Sequence, residues 1–158
     1  MSERIAINTS PLIALGKMQA LDIIAQLSYE FICPAQVEAE IMGGVALGYP
    51  VALPDWVNVL SLQIPLTPMT SLALDDGEAA VIQLALEQRL TRVCIDELKG
   101  RRAALSVGLQ VVGSLGLLGR AKTEGLISAA RPFIEQAQQG GIYYDANLIA
   151  AFLQSLGE

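Results

Sequence analysis

The sequence predicts an α/β fold: one domain over residues 1–158 built on a central, mainly parallel sheet. Three observations lead to that reading. Short apolar runs alternate with longer segments of helical periodicity, the pattern of strands joined by crossover helices. Several of these runs end in polar or acidic residues, which places those side chains at the carboxyl edge where open α/β sheets bind ligands. With 53% hydrophobic and 16% charged residues in 158, the chain can bury a substantial core, and no repeat, low-complexity tract or linker divides it.

The first strand is expected over Arg4 to Asn8, where Ile5-Ala6-Ile7 runs into Asn8-Thr9-Ser10-Pro11. Thr9 or Ser10 followed by a first-turn proline reads as a helix start, and the helix Pro11 to Gln26 has a candidate joint near Gly16 and Lys17. A second strand, Tyr29 to Cys33, leads into a helix from Pro34 to Met42. The stretch Gly43 to Asp55 is so interrupted by Gly and Pro that an irregular, mobile excursion is expected. Strands Val57 to Leu62 and Thr91 to Ile95 flank a helix from Gly77 to Arg89, which Asp75 is placed to cap. A helix Leu98 to Val107, a short strand Gln110-Val111-Val112, and helices at Ser114 to Thr123, Ala129 to Gln138 and Ala146 to Leu156 complete the pattern.

Composition removes several chemistries. Histidine is absent, so serine–histidine, cysteine–histidine and the usual zinc sites lose their components. Cys33 and Cys94 lie in apolar runs without CxxC spacing and read as buried thiols. The longest uncharged runs, Trp56 to Leu74 and Ala103 to Gly119, are interrupted by prolines or glycines and make poor spanning helices. The amino terminus Met1-Ser2-Glu3-Arg4 shows no secretory leader, so a cytoplasmic protein without a membrane segment is expected. The apolar surplus favours a homodimer.

The net charge of −6 argues against coating of nucleic acid by bulk electrostatics, yet the charge is uneven. Residues 1–88 carry 2 basic and 10 acidic side chains, whereas residues 89–131 carry 8 and 3. That basic stretch can face phosphates or form a solvated helix surface.

What remains is oxygen ligation, which suits Mg²⁺ or Mn²⁺ held by carboxylates and phosphate. Crowded carboxylates repel, and a divalent cation relieves the repulsion while activating water, so phosphodiester hydrolysis is the natural reaction. The candidates are Asn8, Glu40, Glu78, Asp96 and Glu97. Glu78 can equally complement a helix dipole, and Glu40 alone reads as a solvated glutamate. Asp96-Glu97 at a strand exit either caps the following helix or binds a cation. Lys99, Arg101 and Arg102 can pair with these acids or reach a phosphate. Gly113-Ser114 opens a helix whose N–H groups can meet an anion, with tight packing as the alternative.

The order of these segments resembles the PIN-domain family. It runs Asn8-Thr9-Ser10-Pro11-Leu12-Ile13, Cys33-Pro34-Ala35-Gln36-Val37-Glu38-Ala39-Glu40, Asp76-Gly77-Glu78-Ala79-Ala80, Ile95-Asp96-Glu97 with Arg102 and Ala103, then Gly113-Ser114-Leu115-Gly116-Leu117. The branch is similar to prokaryotic PIN-like proteins with the motifs D-T-S-P-L, G-E-A, D-D-x-x-x-R and G-x-x-G-x-L. The resemblance implies a three-layer α/β/α fold and a Mg²⁺- or Mn²⁺-dependent ribonuclease acting on single-stranded RNA, often the toxin of a toxin–antitoxin pair with an antitoxin protein as partner. It implies metal-site roles for Asn8, Glu40, Glu78 and Asp96, in that order. Glu97 stands for the second aspartate of the usual pair, with Thr9 and Ser10 as supporting hydroxyls and Glu38 as the substitute for Glu40. Asn8 departs from the pattern. Its amide offers one carbonyl oxygen and no charge, which implies either a weakened nuclease or an inactive relative retained for binding nucleic acid or protein.

Overall fold

The computed structural model describes residues 2–68 and 74–158; Met1 and residues 69–73, which include part of the uncharged run from Trp56 to Leu74, lie outside it. Five strands, β1 (Glu3–Ile7), β2 (Tyr29–Pro34), β3 (Val57–Leu60), β4 (Arg92–Cys94) and β5 (Gln110–Val112), form one sheet in the order β3-β2-β1-β4-β5. Every pairing is parallel. β1 is central, so both of its faces are covered and Ile5, Ala6 and Ile7 are fully buried. This is why the strand reads as a continuous apolar run and not as an alternation.

Helices α1 (Thr9–Lys17), α2 (Leu21–Ile24), α3 (Ala35–Ala46), α4 (Asp76–Glu87), α5 (Leu98–Ser106), α6 (Ser114–Thr123), α7 (Arg131–Gln139) and α8 (Ala146–Ser155) flank the sheet. α4 packs on β1, β2 and β4 and against α3, while α1 packs against α6 and α7. The side chains of α4 at the sheet, including Ala80, Val81, Leu84 and Ala85, are fully buried. Cys33 and Cys94 are buried free thiols, as expected. Burial pushes Cys33 up to about 12 and Cys94 well above the usual thiol range, which leaves both unreactive. Among the described residues no helix is long and apolar enough to cross a membrane.

Several boundaries differ from the sequence reading: the strand expected to reach Leu62 ends at Leu60, and two helix boundaries shift for a local reason. The first helix starts at Thr9, with Asn8 at its cap position and no side-chain cap bond; neither Thr9 nor Ser10 is the cap. The joint expected near Gly16 and Lys17 is present: the helix stops at Lys17, Gln19 takes a positive φ of 57°, the N–H of Ala20 turns back to the Leu15 carbonyl, and the separate short α2 follows. By contrast α3 continues through Gly43 and Gly44 to Ala46. The Leu47 and Tyr49 N–H groups close on the Gly43 and Gly44 carbonyls, so the irregular excursion begins only at Leu47.

Chain order reverses at β1, which has β2 on one side and β4 on the other. Ligands of open α/β sheets bind at such a switch point, outside the carboxyl ends of the strands. Registers Ile7↔Cys94 and Cys94↔Val112 bring the residues just beyond three strands, Asn8, Asp96 and Ser114, to this one edge.

Candidate functional site

Asn8 follows β1 directly and is only 3% exposed. Its N–H donates to the Cys94 carbonyl across to β4 at 3.0 Å, while its side-chain Oδ1 is buried without a hydrogen-bond partner. The next residue, Thr9, uses its hydroxyl to donate to Glu40 Oε2 at 2.9 Å, tying the start of α1 to the middle of α3. Glu40 is otherwise exposed, so this bond is what turns it towards the sheet edge. Glu38 is half-buried and makes no such bond to Thr9. Its charge acts on Cys33 instead.

Glu78 lies in the first turn of α4 and is 6% exposed. The capping role falls to Asp75, whose Oδ1 accepts from the Glu78 N–H at 2.7 Å. The Glu78 carboxylate is thereby left for other use, and its Oε2, like Asn8 Oδ1 and Gln36 Oε1, is a buried oxygen with no hydrogen-bond partner. Burial pushes Glu78 up to about 7, helped by the adjacent Asp75 and then by the charges of Glu97 and Glu40. Glu40 is raised as well, chiefly by desolvation. The Thr9 hydroxyl offsets part of this, and Asp75 and Asp76 add to it. Carboxyls that push one another towards the protonated form are the electrostatic signature of a site that a cation would relieve.

Asp96, two residues beyond β4, is held by Ser114 two residues beyond β5. The Ser114 N–H donates to Asp96 Oδ1 at 2.7 Å and its hydroxyl to Oδ2 at 2.8 Å. The Tyr144 hydroxyl lies 2.7 Å from Ser114 Oγ. Since Ser114 spends its proton on Asp96, Tyr144 must be the donor, and a relay runs from Tyr144 through Ser114 to Asp96. The Ser114 N–H is thus committed to Asp96 and not offered to a phosphate. Arg101 donates from Nη1 to the Ile95 carbonyl at 3.0 Å. Glu97 occupies the cap position of α5 without a side-chain cap bond. Glu97, Lys99 and Arg102 are exposed, and Ser10 is half-buried.

Three glycines make room for these acids. A Cβ on Gly77 would lie 2.0 Å from Glu40 Oε1; one on Gly100 would lie 2.5 Å from Glu78 Oε2 and 2.9 Å from Ile95 Cγ2; one on Gly113 would lie 2.7 Å from Asp96 Oδ1 and 2.8 Å from Arg101 Nη1. The consequences differ. Glu40 is exposed and can swing away, so Gly77→Ala disturbs the Thr9–Glu40 bond at little cost to folding. Glu78 and Ile95 are buried, so Gly100→Ala is expected to destabilise the protein by about 1–3 kcal/mol through overpacking. Urea denaturation of the two variants checks this, and equal stability losses would contradict it.

Two contributors escaped the sequence reading. Gly100 sits inside a helix, where an isolated glycine is the only signal of a close approach. Tyr144 lies far along the chain in Tyr143-Tyr144, with nothing in its neighbourhood to link it to Asp96.

The donors are all oxygens, and two of them, Asn8 Oδ1 and Glu78 Oε2, are buried and unpartnered. That chemistry fits Mg²⁺ or Mn²⁺. Among the described residues no three carboxylate or thiol side chains stand together as a ready cation cage.

Fold and site together define an all-parallel α/β protein with an acidic, oxygen-donor edge at the topological switch point. A family model described as a PIN domain (DUF3368) matches residues 4–158, and the chain belongs to the PIN-domain family. No curated protein and no solved structure matches it significantly.

Proposed function

We propose that this protein is a divalent-ion-dependent ribonuclease whose cation site is weakened by Asn8. The observation that carries the reading is the pair of buried, unpartnered oxygens, Asn8 Oδ1 and Glu78 Oε2, beside Glu40 and Asp96 at the sheet's switch point. Glu40, Glu78, Asp96 and Glu97 would hold Mg²⁺ or Mn²⁺, with Asn8 adding a neutral oxygen. The ion, when bound, supplies charge relief, an activated water and stabilisation of phosphoryl oxygens.

The chain's own residues do the positioning. Ser114 fixes both oxygens of Asp96, and Thr9 turns Glu40 inward. Glu78, with its carboxyl near neutrality, can hold or release a proton at physiological pH. Ser10 is a supporting hydroxyl, and Lys99, Arg101 and Arg102 on α5 position the phosphate backbone. Single-stranded RNA is the expected substrate. A toxin role with an antitoxin protein as partner, a cytoplasmic location and a homodimer extend the reading. Exposed Met42, Val45, Leu47 and Tyr49 around the end of α3 supply apolar surface suited to a protein contact.

The second reading is a binding module without catalysis, favoured by the uncharged Asn8. Cleavage of a generic single-stranded RNA in Mn²⁺ and in Mg²⁺ separates the two. Slow cleavage is expected, faster in Mn²⁺, and loss of a ligand in Asp96→Ala should cut it at least about 100-fold. Silence in both the parent and Asn8→Asp would sink the nuclease reading and favour the binding module.

A further inference from the structure

We propose that the cleft beside the acidic edge binds an unpaired nucleobase of RNA against Tyr143, with Arg101 at its lip meeting the adjoining phosphate. The inference deepens the nuclease reading and rests on its RNA substrate. The cleft has a volume of about 870 Å³, within the roughly 300–1,000 Å³ typical of small-molecule sites. Asp96 and Glu97 form one wall, so whatever enters it lies directly beside the acids.

The lining is mainly apolar, with Val112 and Leu148 among its residues, Tyr144 at the Ser114 relay, and Leu98 and Tyr143 towards solvent. Tyr143 is 84% exposed, Leu98 60% and Leu148 53%. A ring left this open offers its face for stacking by a flat partner. Every base offers a flat face, and single-stranded nucleic acids are held by such stacking together with cationic side chains.

The turn that carries Tyr143 is anchored on both sides. It leaves α7 through Gly141, which has a positive φ of 93°, and the Lys17 ammonium pins the Gly140 carbonyl at 2.7 Å. On the other side Asp145 Oδ2 accepts from the Asn147 and Leu148 N–H groups and caps α8. An aromatic on a turn fixed at both ends loses little freedom on binding.

The charges at the lip are compatible with a phosphate. Asp96 is engaged by Ser114 and Asp145 by its helix, which leaves Glu97 as the acid of the lining without such a bond. Among the described residues no ion pair engages Arg101, whose contact is the neutral Ile95 carbonyl. A strand with one base in the cleft would therefore run its phosphate past Arg101 towards the acidic edge.

The test is fluorescence anisotropy with a labelled single-stranded octaribonucleotide in EDTA, where no cleavage can occur. Tyr143→Ala is expected to weaken binding roughly tenfold to a hundredfold, while Tyr143→Phe, which keeps the ring, binds like the parent. A blunt RNA duplex should bind more weakly and show no dependence on Tyr143. Because Tyr143 is largely exposed, melting curves of both variants should match the parent. Equal binding by Tyr143→Ala, or no binding by the parent, would overturn the proposal, and the former would leave the cleft to a segment of a protein partner. Parallel cleavage assays in Mn²⁺ separate this from the nuclease reading. Ring-dependent binding without cleavage overturns that reading and leaves the base cleft standing, whereas cleavage that ignores Tyr143 overturns the cleft alone.

Discussion

Asn8→Asp is expected to tighten Mn²⁺ binding by about 1–3 kcal/mol, roughly tenfold to a hundredfold, through one added unit charge at about 4 Å in a partly screened site. Only one atom group changes, and the new carboxylate has the shape of the amide it replaces. The position is 3% exposed, and its Oδ1 has no protein partner to lose. In the absence of metal the same substitution should destabilise the fold, since a buried charge would then face Glu78 and Glu40 without compensation. The signature is thus a crossed pattern: a lower melting temperature than the parent in EDTA and a larger rise on adding Mn²⁺. Titration calorimetry and melting curves read both arms. Unchanged Mn²⁺ affinity would show that Asn8 Oδ1 does not face a cation.

The second large effect concerns pH. Glu78 is pushed up to about 7 from an ordinary 4.5, first by burial and then by Asp75, Glu97 and Glu40. The folded protein therefore holds a proton that the unfolded chain has released between those values. Stability from this group is fully present below about pH 4.5 and is lost as pH rises through about 7, a swing of about 2–3 kcal/mol. This is opposite in sign to the usual salt-bridged carboxylate. Glu78→Gln should remove the swing and be more stable than the parent at pH 8. A bound cation should flatten it too, because the metal favours the ionised form. Urea denaturation in EDTA from pH 5 to 8, repeated in Mn²⁺, measures all three. A flat parent profile in EDTA would mean that Glu78 is better solvated than its burial implies.

Much of the fold was legible because the signals are local. The apolar runs of Ile5-Ala6-Ile7 and Val93-Cys94-Ile95 announce strands covered on both faces, and helices between them require parallel pairing. Asn8, Glu78 and Asp96 could be singled out because strand exits and helix starts put polar groups at one edge. Boundaries failed where a few backbone bonds outweighed propensity. The break near Lys17 was legible from Gly16, but the Gly43-Gly44 pair was carried inside α3 although glycine weakens helices.

From its order of residues alone the chain determined an α/β sheet, its family motifs, the absence of imidazole chemistry and an amide in the place of the first acid. Tertiary structure decided the rest, because those matters depend on distance between residues far apart in sequence. It tied Glu40 to the Thr9 hydroxyl and set Gly100 against the Glu78 carboxylate. It also joined Tyr144 to Asp96 through Ser114. Burial and hydrogen bonding act through space, so the proton affinity of Glu78 and the unpartnered oxygen of Asn8 exist only once the chain has folded around them.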